Sequence, residues 1–246
     1  MPLKPKAVCH GTWPFRCRQG LAIAAIAIIS RASNAQETSP NGLNGLNGPN
    51  GSNGLNGLQS LEKFVKNTKS GRAAFTQTVT SPAKEGQVAK SKLSSGTFEF
   101  LRPNRFKFLY KKPFEQSIVA DGQTLWLYDV DLNQVTARPL AQTLNGTPAA
   151  VIAAAADLKG LQADFNLSAL PEKAGLQWVQ ATPKTKDGQL QSISVGFKAN
   201  ELAVLEILDS FGQRSVMTFS QFEVNPALAP ASFQFKPPAG VDVSKQ

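Results

Sequence analysis

Hydrophobic and polar side chains alternate along most of the chain after Arg72, and this period of two predicts β-strands. The pattern is clearest in the segment SGTFEFLRPNRFKFLYKKP at 95–113, where one face of two successive strands is aromatic. The residues of that face are Phe98, Phe100, Phe106, Phe108 and Tyr110. Further strands are predicted at 74–80, 116–120, 124–130, 133–138, 176–181, 189–197, 202–209, 214–223 and 231–235. Turn signals such as Asp121-Gly122 separate the strands, which favours an antiparallel meander over alternating strands and helices.

Two segments depart from this period and predict helices. In the first, apolar residues recur every three or four positions over 58–68, and Gly71 marks its end. The second begins at Thr147-Pro148, has no polar side chain over 149–156 and ends before Gly160. A helix that is apolar on every side is expected to be buried all round. Two interpretations stay open for it, an ordinary core helix and a movable plug in a cavity.

Several predicted strands are apolar on both faces, so the sheet needs cover on two sides. Leu125 and Leu127 alternate with Trp126 and Tyr128 along one of them. Aromatic rows on strands are commonly plain core. A sheet curled around only two helices would instead leave a concave apolar interior, and such a cavity is a candidate ligand site.

The beginning of the chain predicts a secretory signal peptide at 1–35. A basic leader precedes an apolar run at 21–29, and small residues at Ser33 and Ala35 fit cleavage after Ala35. That run is too short to span a bilayer. Both cysteines, Cys9 and Cys17, precede the run, so neither matches the lipid-modified cysteine of a lipoprotein. We therefore expect a periplasmic protein without an anchor.

Cleavage would change the chemistry that the chain can perform. It removes five basic and no acidic residues, so the formal net charge falls from +9 to +4, which gives no electrostatic case for nucleic acid. It also removes His10, the only histidine, together with both cysteines. Nucleophile pairs and metal sites built on those residue types are excluded. Asp129 and Asp131 remain as a possible carboxylate pair, but at the end of a strand such acids usually hydrate a rim.

The rest of the chain divides into two parts. Residues 36–57 are predicted to form a flexible linker. From Asn41 onward they repeat an Asn-Gly-Leu triplet with a single proline, Pro49, and so lack the proline density of collagen. Residues 58–246 are predicted to form one domain. The lysines at 90, 92, 111 and 112 are interpreted as solvated loop and edge-strand residues.

An ordered set of motifs within 58–246 resembles the periplasmic outer-membrane lipoprotein carriers of the LolA family. The set begins with Gly96-Thr-Phe-Glu-Phe-Leu-Arg102-Pro103 and Phe106-Lys-Phe108, continues with Ile118-Val-Ala-Asp121-Gly122-x-x-Leu125-Trp126, then Thr147-Pro148, and ends with Phe233-x-Phe235-x-Pro237-Pro238. The Arg-Pro strand pair followed by the Asp-Gly-x-x-Leu-Trp hairpin is its specific part. Phenylalanine stands at 108 where some members carry tryptophan.

The resemblance implies a fold, a function and partners. The fold is an incomplete antiparallel β-barrel of mainly β structure, closed by a helical lid. The function is non-enzymatic and needs no cofactor or metal: a monomer accepts the acyl chains of lipoproteins from an inner-membrane ABC release complex and passes them to an outer-membrane receptor. Arg102 is implied to hydrogen-bond the lid in the empty state. The residues expected to contact acyl chains or hold the lid are Phe98, Phe100, Arg102, Phe106, Phe108, Tyr110, Trp126 and Ile152. A periplasmic lipid-binding sensor of similar fold is the alternative.

Overall fold

The computed structural model describes residues 56–83, 86, 88–144, 153, 158–185 and 188–245. The predicted signal peptide, nearly all of the predicted linker and all but Ala153 of the predicted apolar helix at 149–156 lie outside these ranges. No helix among the described residues is long and apolar enough to cross a membrane.

The described chain is mainly β-structure with a few short helices. The strands are β1 (Ser70–Ser81), β2 (Lys90–Leu101), β3 (Arg105–Lys112), β4 (Gln116–Asp121), β5 (Thr124–Asp129), β6 (Gln134–Pro139), β7 (Phe165–Lys173), β8 (Leu176–Pro183), β9 (Leu190–Lys198), β10 (Glu201–Asp209), β11 (Arg214–Val224) and β12 (Asp242–Lys245). The helices are α1 (Gly57–Asn67), α2 (Leu140–Leu144), α3 (Leu158–Asp164) and a 3-10 helix at Pro230–Phe233.

All twelve strands belong to one open sheet. Its order is β12-β6-β5-β4-β3-β2-β1-β11-β10-β9-β8-β7, so two meanders, β1 to β6 and β7 to β11, are joined where β1 pairs with β11. Every pair is antiparallel except β12 with β6, which is parallel. The expected fold class is therefore confirmed as an unclosed, largely antiparallel sheet with helices.

Helix α1 begins inside the repeat that the sequence assigned to the linker. The Asn56 side chain accepts a hydrogen bond from the Gln59 backbone, and the Gln59 side chain accepts one from the Asn56 backbone, which forms a capping box. A Cβ on Gly57 would lie 1.9 Å from the carbonyl oxygen of Trp178. Glycine at this position therefore lets the helix approach β8, and residues 56 and 57, which the sequence assigned to the linker, belong to the helix cap and the helix.

The predicted strand at 231–235 is wrong. These residues form the 3-10 helix Pro230–Phe233 followed by extended chain, because Pro230 fixes a helical φ at the first turn and Phe233 is fully buried, at 0% exposure. Phe233 and Phe235 are two residues apart, which is the spacing expected of side chains on one face of a strand. The short strand β12 and the edge strand β7 were not predicted.

The C-terminal segment covers the outer face of β3 to β6. Phe235 packs on Trp126 and Tyr128, with ring centroids 5.6 and 6.0 Å apart. The buried residues of this outer layer are Val119, Val135, Ala137 and Phe233. The layer explains why several strands are apolar on both faces: one face packs on the main core, and the other lies beneath the chain's own C-terminal segment.

An ion-pair network ties strands and C-terminal segment together on the outer face. Glu99 accepts from Arg72 and from Lys107, each at 2.8 Å, and Arg72 also reaches Glu223 at 3.3 Å. Lys107 donates in addition to the backbone carbonyl of Ser232 at 3.3 Å. Burial raises the pKa of Glu99, but the hydrogen bonds from the two cations outweigh it, so its pKa lies below the usual value.

Candidate functional site: an aromatic inner face beside Arg102

Five aromatic side chains form a continuous surface on the inner face of β2 and β3. Strand register places Phe98 beside Phe108 and Phe100 beside Phe106, and β4 extends the row with Ile118. The rings of Phe98 and Phe108 stack with centroids 4.4 Å apart. All five predicted residues, Phe98, Phe100, Phe106, Phe108 and Tyr110, are buried in the main core. The structure thus brings together the aromatic residues that the alternation predicted.

The inner face is shielded from solvent by other parts of the chain. Phe64 of α1 packs against Phe100 with ring centroids 6.0 Å apart, and Phe219 of β11 packs against Phe98 at 5.5 Å. Ala153, the one described residue of the predicted apolar helix, belongs to the same core and is 0% exposed. A ligand that used this face would have to displace part of this cover.

Arg102 lies at the edge of the aromatic face, against the C-terminal end of α1. Its Nε donates to the carbonyl oxygen of Thr68 at 2.9 Å, and its backbone N–H donates to the carbonyl of Lys69 at 2.8 Å. The guanidinium carbon lies 5.2 Å from the ring centroid of Phe64 and 5.3 Å from that of Phe100. A cation is stabilised both by the negative end of a helix and by aromatic faces. Arg102 makes further interactions beyond these.

Burial lowers the pKa of Arg102 from its ordinary value to about 10. The guanidinium is therefore still protonated at neutral pH, so a positive charge is held within an otherwise apolar region. Removing water from around such a charge strengthens each of its hydrogen bonds, because the local dielectric is low.

A buried polar chain lies on the inner face next to the aromatic residues, and sequence reasoning missed it. The Tyr110 hydroxyl donates to Gln77 Oε1 at 2.9 Å, and Gln77 Nε2 donates to Ser215 Oγ at 2.7 Å. Burial raises the pKa of Tyr110, so its hydroxyl stays protonated and remains a donor. The one available signal was a glutamine at an inward-facing position of a predicted strand.

The structure does not bring Trp126 to the aromatic inner face. Trp126 pairs with Val119, whereas the inward residues of β4 are Ile118 and Ala120, so its indole points to the outer layer and packs on Phe235. This placement corrects the expectation that Trp126 lines the same surface as the phenylalanines. Ile152 lies outside the described residues.

The Asp-Gly-x-x-Leu-Trp motif has a structural explanation in the β4–β5 hairpin. One carboxylate oxygen of Asp121 accepts the backbone N–H groups of Gln123 and Thr124, and the other accepts Nε1 of Trp126 at 2.9 Å. Gly122 has a φ of 106°, which favours glycine. The motif therefore fixes a turn and orients Trp126 outward.

The carboxylate pair considered for catalysis, Asp129 and Asp131, lies at the turn between β5 and β6. Asp129 Oδ1 accepts the backbone N–H of Leu132 at 3.0 Å within the β5–β6 turn. Within the described ranges no group of three or more histidine, cysteine, aspartate or glutamate residues is arranged to hold a metal ion. The described contacts therefore give the acids a role in turns and in the outer ion-pair network.

An open sheet with a continuous aromatic inner face and one buried arginine at its edge defines a half-barrel of the kind that encloses apolar ligands. The family profile described as "Outer membrane lipoprotein carrier protein LolA" matches residues 66–236. The chain belongs to this family.

Relatives of known name support the same membership. A protein of Albidiferax ferrireducens is 71% identical over 185 residues, which cover 74% of this chain and 87% of that protein. One of Methylibium petroleiphilum is 58% identical over 178 residues, covering 72% of this chain and 84% of that protein. Both are named outer-membrane lipoprotein carrier protein. The solved structure of a LolA superfamily protein from Nitrosomonas europaea aligns with 74% of this chain and 99% of its own, at 14% identity and a TM-score of 0.43.

Proposed function

We propose that this protein carries lipoproteins through the periplasm by enclosing their acyl chains against the aromatic inner face. The observation that supports the proposal most strongly is the continuous buried surface of Phe98, Phe100, Phe106 and Phe108 in a chain of the lipoprotein carrier family. In this role the protein binds and releases without catalysing a reaction. Its location in the periplasm follows from the family, and cleavage of residues 1–35 after Ala35 would deliver it there.

The energetics of acyl chains explain why such a carrier is needed. Each methylene exposed to water costs about 0.8 kcal/mol, so a chain of about fifteen methylenes costs on the order of 12 kcal/mol. A lipoprotein therefore does not leave a membrane unaided at a useful rate. We further propose that an inner-membrane ABC complex releases the cargo to this protein and that an outer-membrane receptor accepts the cargo from it.

Release requires that the acyl chains do not bind irreversibly. We assign to Arg102 the role of stabilising the closed, empty state against the loaded state. Hydrogen bonds to charged groups contribute about 1.5–3 kcal/mol each. The bond from Arg102 Nε to the Thr68 carbonyl, together with the other interactions of Arg102, favours the closed, empty state by less than acyl burial favours the loaded state. In our proposal Arg102 secures the cover over the inner face, and Ile152 is part of that cover.

The test compares two substitutions three residues apart. Arg102→Leu should leave the protein folded but increase retention of cargo, because the closed state loses its charged hydrogen bonds. Arg105→Leu is the matched control, since the Arg105 side chain lies on the outer side against Gly122 and makes no hydrogen bond or ion pair with the described part of the chain. Both variants would be purified from the periplasm, checked by thermal unfolding and examined by native mass spectrometry for an acylated polypeptide.

Transfer to membranes that contain the outer-membrane receptor provides the second measurement. We expect slower transfer from Arg102→Leu and unchanged transfer from Arg105→Leu. Equal transfer from both variants would contradict the role of Arg102. If the unmodified protein bound neither acylated polypeptides nor an apolar fluorescent probe, the carrier function itself would be wrong.

A further inference from the structure

Exposed apolar side chains are concentrated at one end of the sheet. The connections β1–β2, β3–β4, β5–β6, β8–β9 and β10–β11 all lie at this end, which we call the tip end. The exposed large hydrophobic residues at the tip end are Val88, Leu93, Phe114, Val130, Leu132 and Phe211. Among the described residues only Val224 shares this property at the opposite end. Clustered exposed apolar residues usually mark an interaction surface.

Two neighbouring hairpins at the tip end combine apolar residues with lysines. Strands β2 and β3 are paired, with Ser95 opposite Lys112, so the β1–β2 and β3–β4 hairpins lie side by side. Together the two hairpins carry seven exposed residues that are either lysine or large and apolar, and we call this set the basic-apolar edge. Its members are Val88, Lys90, Lys92, Leu93, Lys111, Lys112 and Phe114. On the first hairpin, Lys90 and Lys92 lie between Val88 and Leu93 in the sequence. On the second hairpin, Lys111 and Lys112 precede Phe114.

No ion pair among the described residues neutralises the positive charge of the basic-apolar edge. None of its four lysines makes an ion pair or a side-chain hydrogen bond with another part of the described chain. Among the described residues of the two hairpin connections, Glu115 is the one acid. The expectation that these lysines protect edge strands is wrong, because β2 and β3 lie in the interior of the sheet. Solvation alone would explain the lysines but not the exposed Phe114 and Leu93 beside them.

We propose that the basic-apolar edge docks the protein reversibly on an anionic membrane surface. Lysines attract anionic headgroups, and their long stems allow apolar neighbours to enter the interfacial layer. The apolar residues sit on separate hairpins with lysines between them, which suits a deformable lipid interface better than a rigid protein partner. This proposal concerns the outside of the protein and does not depend on acyl binding at the inner face.

The expected strength follows from the number of lysines. Each lysine near an anionic surface strengthens binding about fivefold, or about 1 kcal/mol. Four lysines with partly inserted apolar residues therefore give weak, salt-sensitive binding that still allows the protein to leave. By the same value, loss of all four charges should weaken binding by up to about 600-fold.

The test is co-sedimentation of the purified protein with vesicles of phosphatidylglycerol mixed with phosphatidylcholine, and with vesicles of phosphatidylcholine alone. The first variant replaces Lys90, Lys92, Lys111 and Lys112 with glutamine. Its matched control replaces Lys63, Lys173, Lys198 and Lys236, which are exposed elsewhere, and changes net charge equally. A second pair compares Phe114→Ser with Val224→Ser, since these residues are 49% and 47% exposed.

We expect binding to the anionic vesicles that weakens with salt, with the first quadruple variant and with Phe114→Ser, but not with either control. Equal weakening by both quadruple variants would overturn the proposal, because net charge alone would then explain attraction. Equal binding to both kinds of vesicle, or no binding by the unmodified protein, would also overturn it. Unchanged binding of Phe114→Ser would refute insertion of the apolar residues.

Discussion

Removing one hydroxyl group from the inner face, by Tyr110→Phe, tests the buried polar chain. The hydroxyl donates to Gln77 Oε1 at 2.9 Å, and Gln77 in turn donates to Ser215. Tyr110, Gln77 and Ser215 are only 4%, 1% and 2% exposed, so water has little access to replace the lost donor. The Tyr110 ring meets Phe75 edge-on at 5.0 Å, and phenylalanine keeps that contact.

The expected cost comes almost wholly from the acceptor that is left unpaired. A buried polar atom without a partner costs about 1–3 kcal/mol. For a domain of this size each kcal/mol lowers the melting temperature by about 2–4 °C. Urea unfolding followed by circular dichroism measures the change, and Tyr128→Phe is the control because the Tyr128 hydroxyl has no hydrogen bond among the described residues.

A combined variant separates the unpaired acceptor from a simple loss of packing. Replacing Tyr110 with phenylalanine, Gln77 with leucine and Ser215 with alanine removes donors and acceptors together. The triple variant should cost less than the three single changes added together, because residues of one hydrogen-bond chain are coupled. If Tyr110→Phe changed the free energy of unfolding by less than about 0.5 kcal/mol, the polar chain would not contribute as we argue.

Three further predictions concern stability. Glu99→Gln should destabilise the protein at neutral pH, and the difference in stability between the variant and the unmodified protein should become smaller in acid. The pKa of Glu99 is lowered in the folded state, so its carboxylate, paired with Lys107, stabilises the fold above about pH 4.5 and loses this effect as the pH falls through the folded pKa. Urea unfolding at several pH values measures the difference. Phe233→Ala should cost about 3–5 kcal/mol by thermal unfolding, and a cost near zero would contradict the outer layer. Gly57→Ala should lower the melting temperature, because a Cβ would meet a β8 carbonyl at 1.9 Å. Gly188→Ala should not, because a Cβ there would meet only the backbone nitrogen of Leu190, at an ordinary contact distance of 3.8 Å.

Strand alternation predicted the aromatic inner face because period two carries direct information about which side chains share a face. Phe98 and Phe100 could be grouped without knowledge of any other strand. The antiparallel order followed from the short turns between consecutive strands. The pairing of β1 with β11 joins residues about 150 positions apart, and nothing local in either strand specifies that partner.

The position of Trp126 could not be read from its own strand. In β5 both alternating sets are apolar, so the sequence does not decide whether Leu125 or Trp126 faces the main core. Register decides it, because Leu125 lies opposite Ala120 of the inner row and Trp126 lies opposite Val119. The hydrogen bond from Trp126 to Asp121 then holds the indole outward. A strand that is apolar on both faces needs knowledge of its neighbours before any residue can be assigned to a ligand site.

The two faces of the β3–β5 region differ in how their covers are attached, and this difference bears on cargo binding. The outer cover is anchored at several independent points: Phe233 is fully buried, Lys107 holds the carbonyl of Ser232, and β12 pairs with β6. Displacing it would break these contacts together, so it acts as fixed support behind the aromatic wall. On the inner side, α1 packs through Phe64 on Phe100 of the neighbouring β2, and Arg102 donates a charged hydrogen bond to the carbonyl of Thr68 at the end of that helix. If acyl chains bind at the aromatic wall as we propose, the structure should therefore open on its inner side, where burial of the ligand compensates for the contacts that are lost.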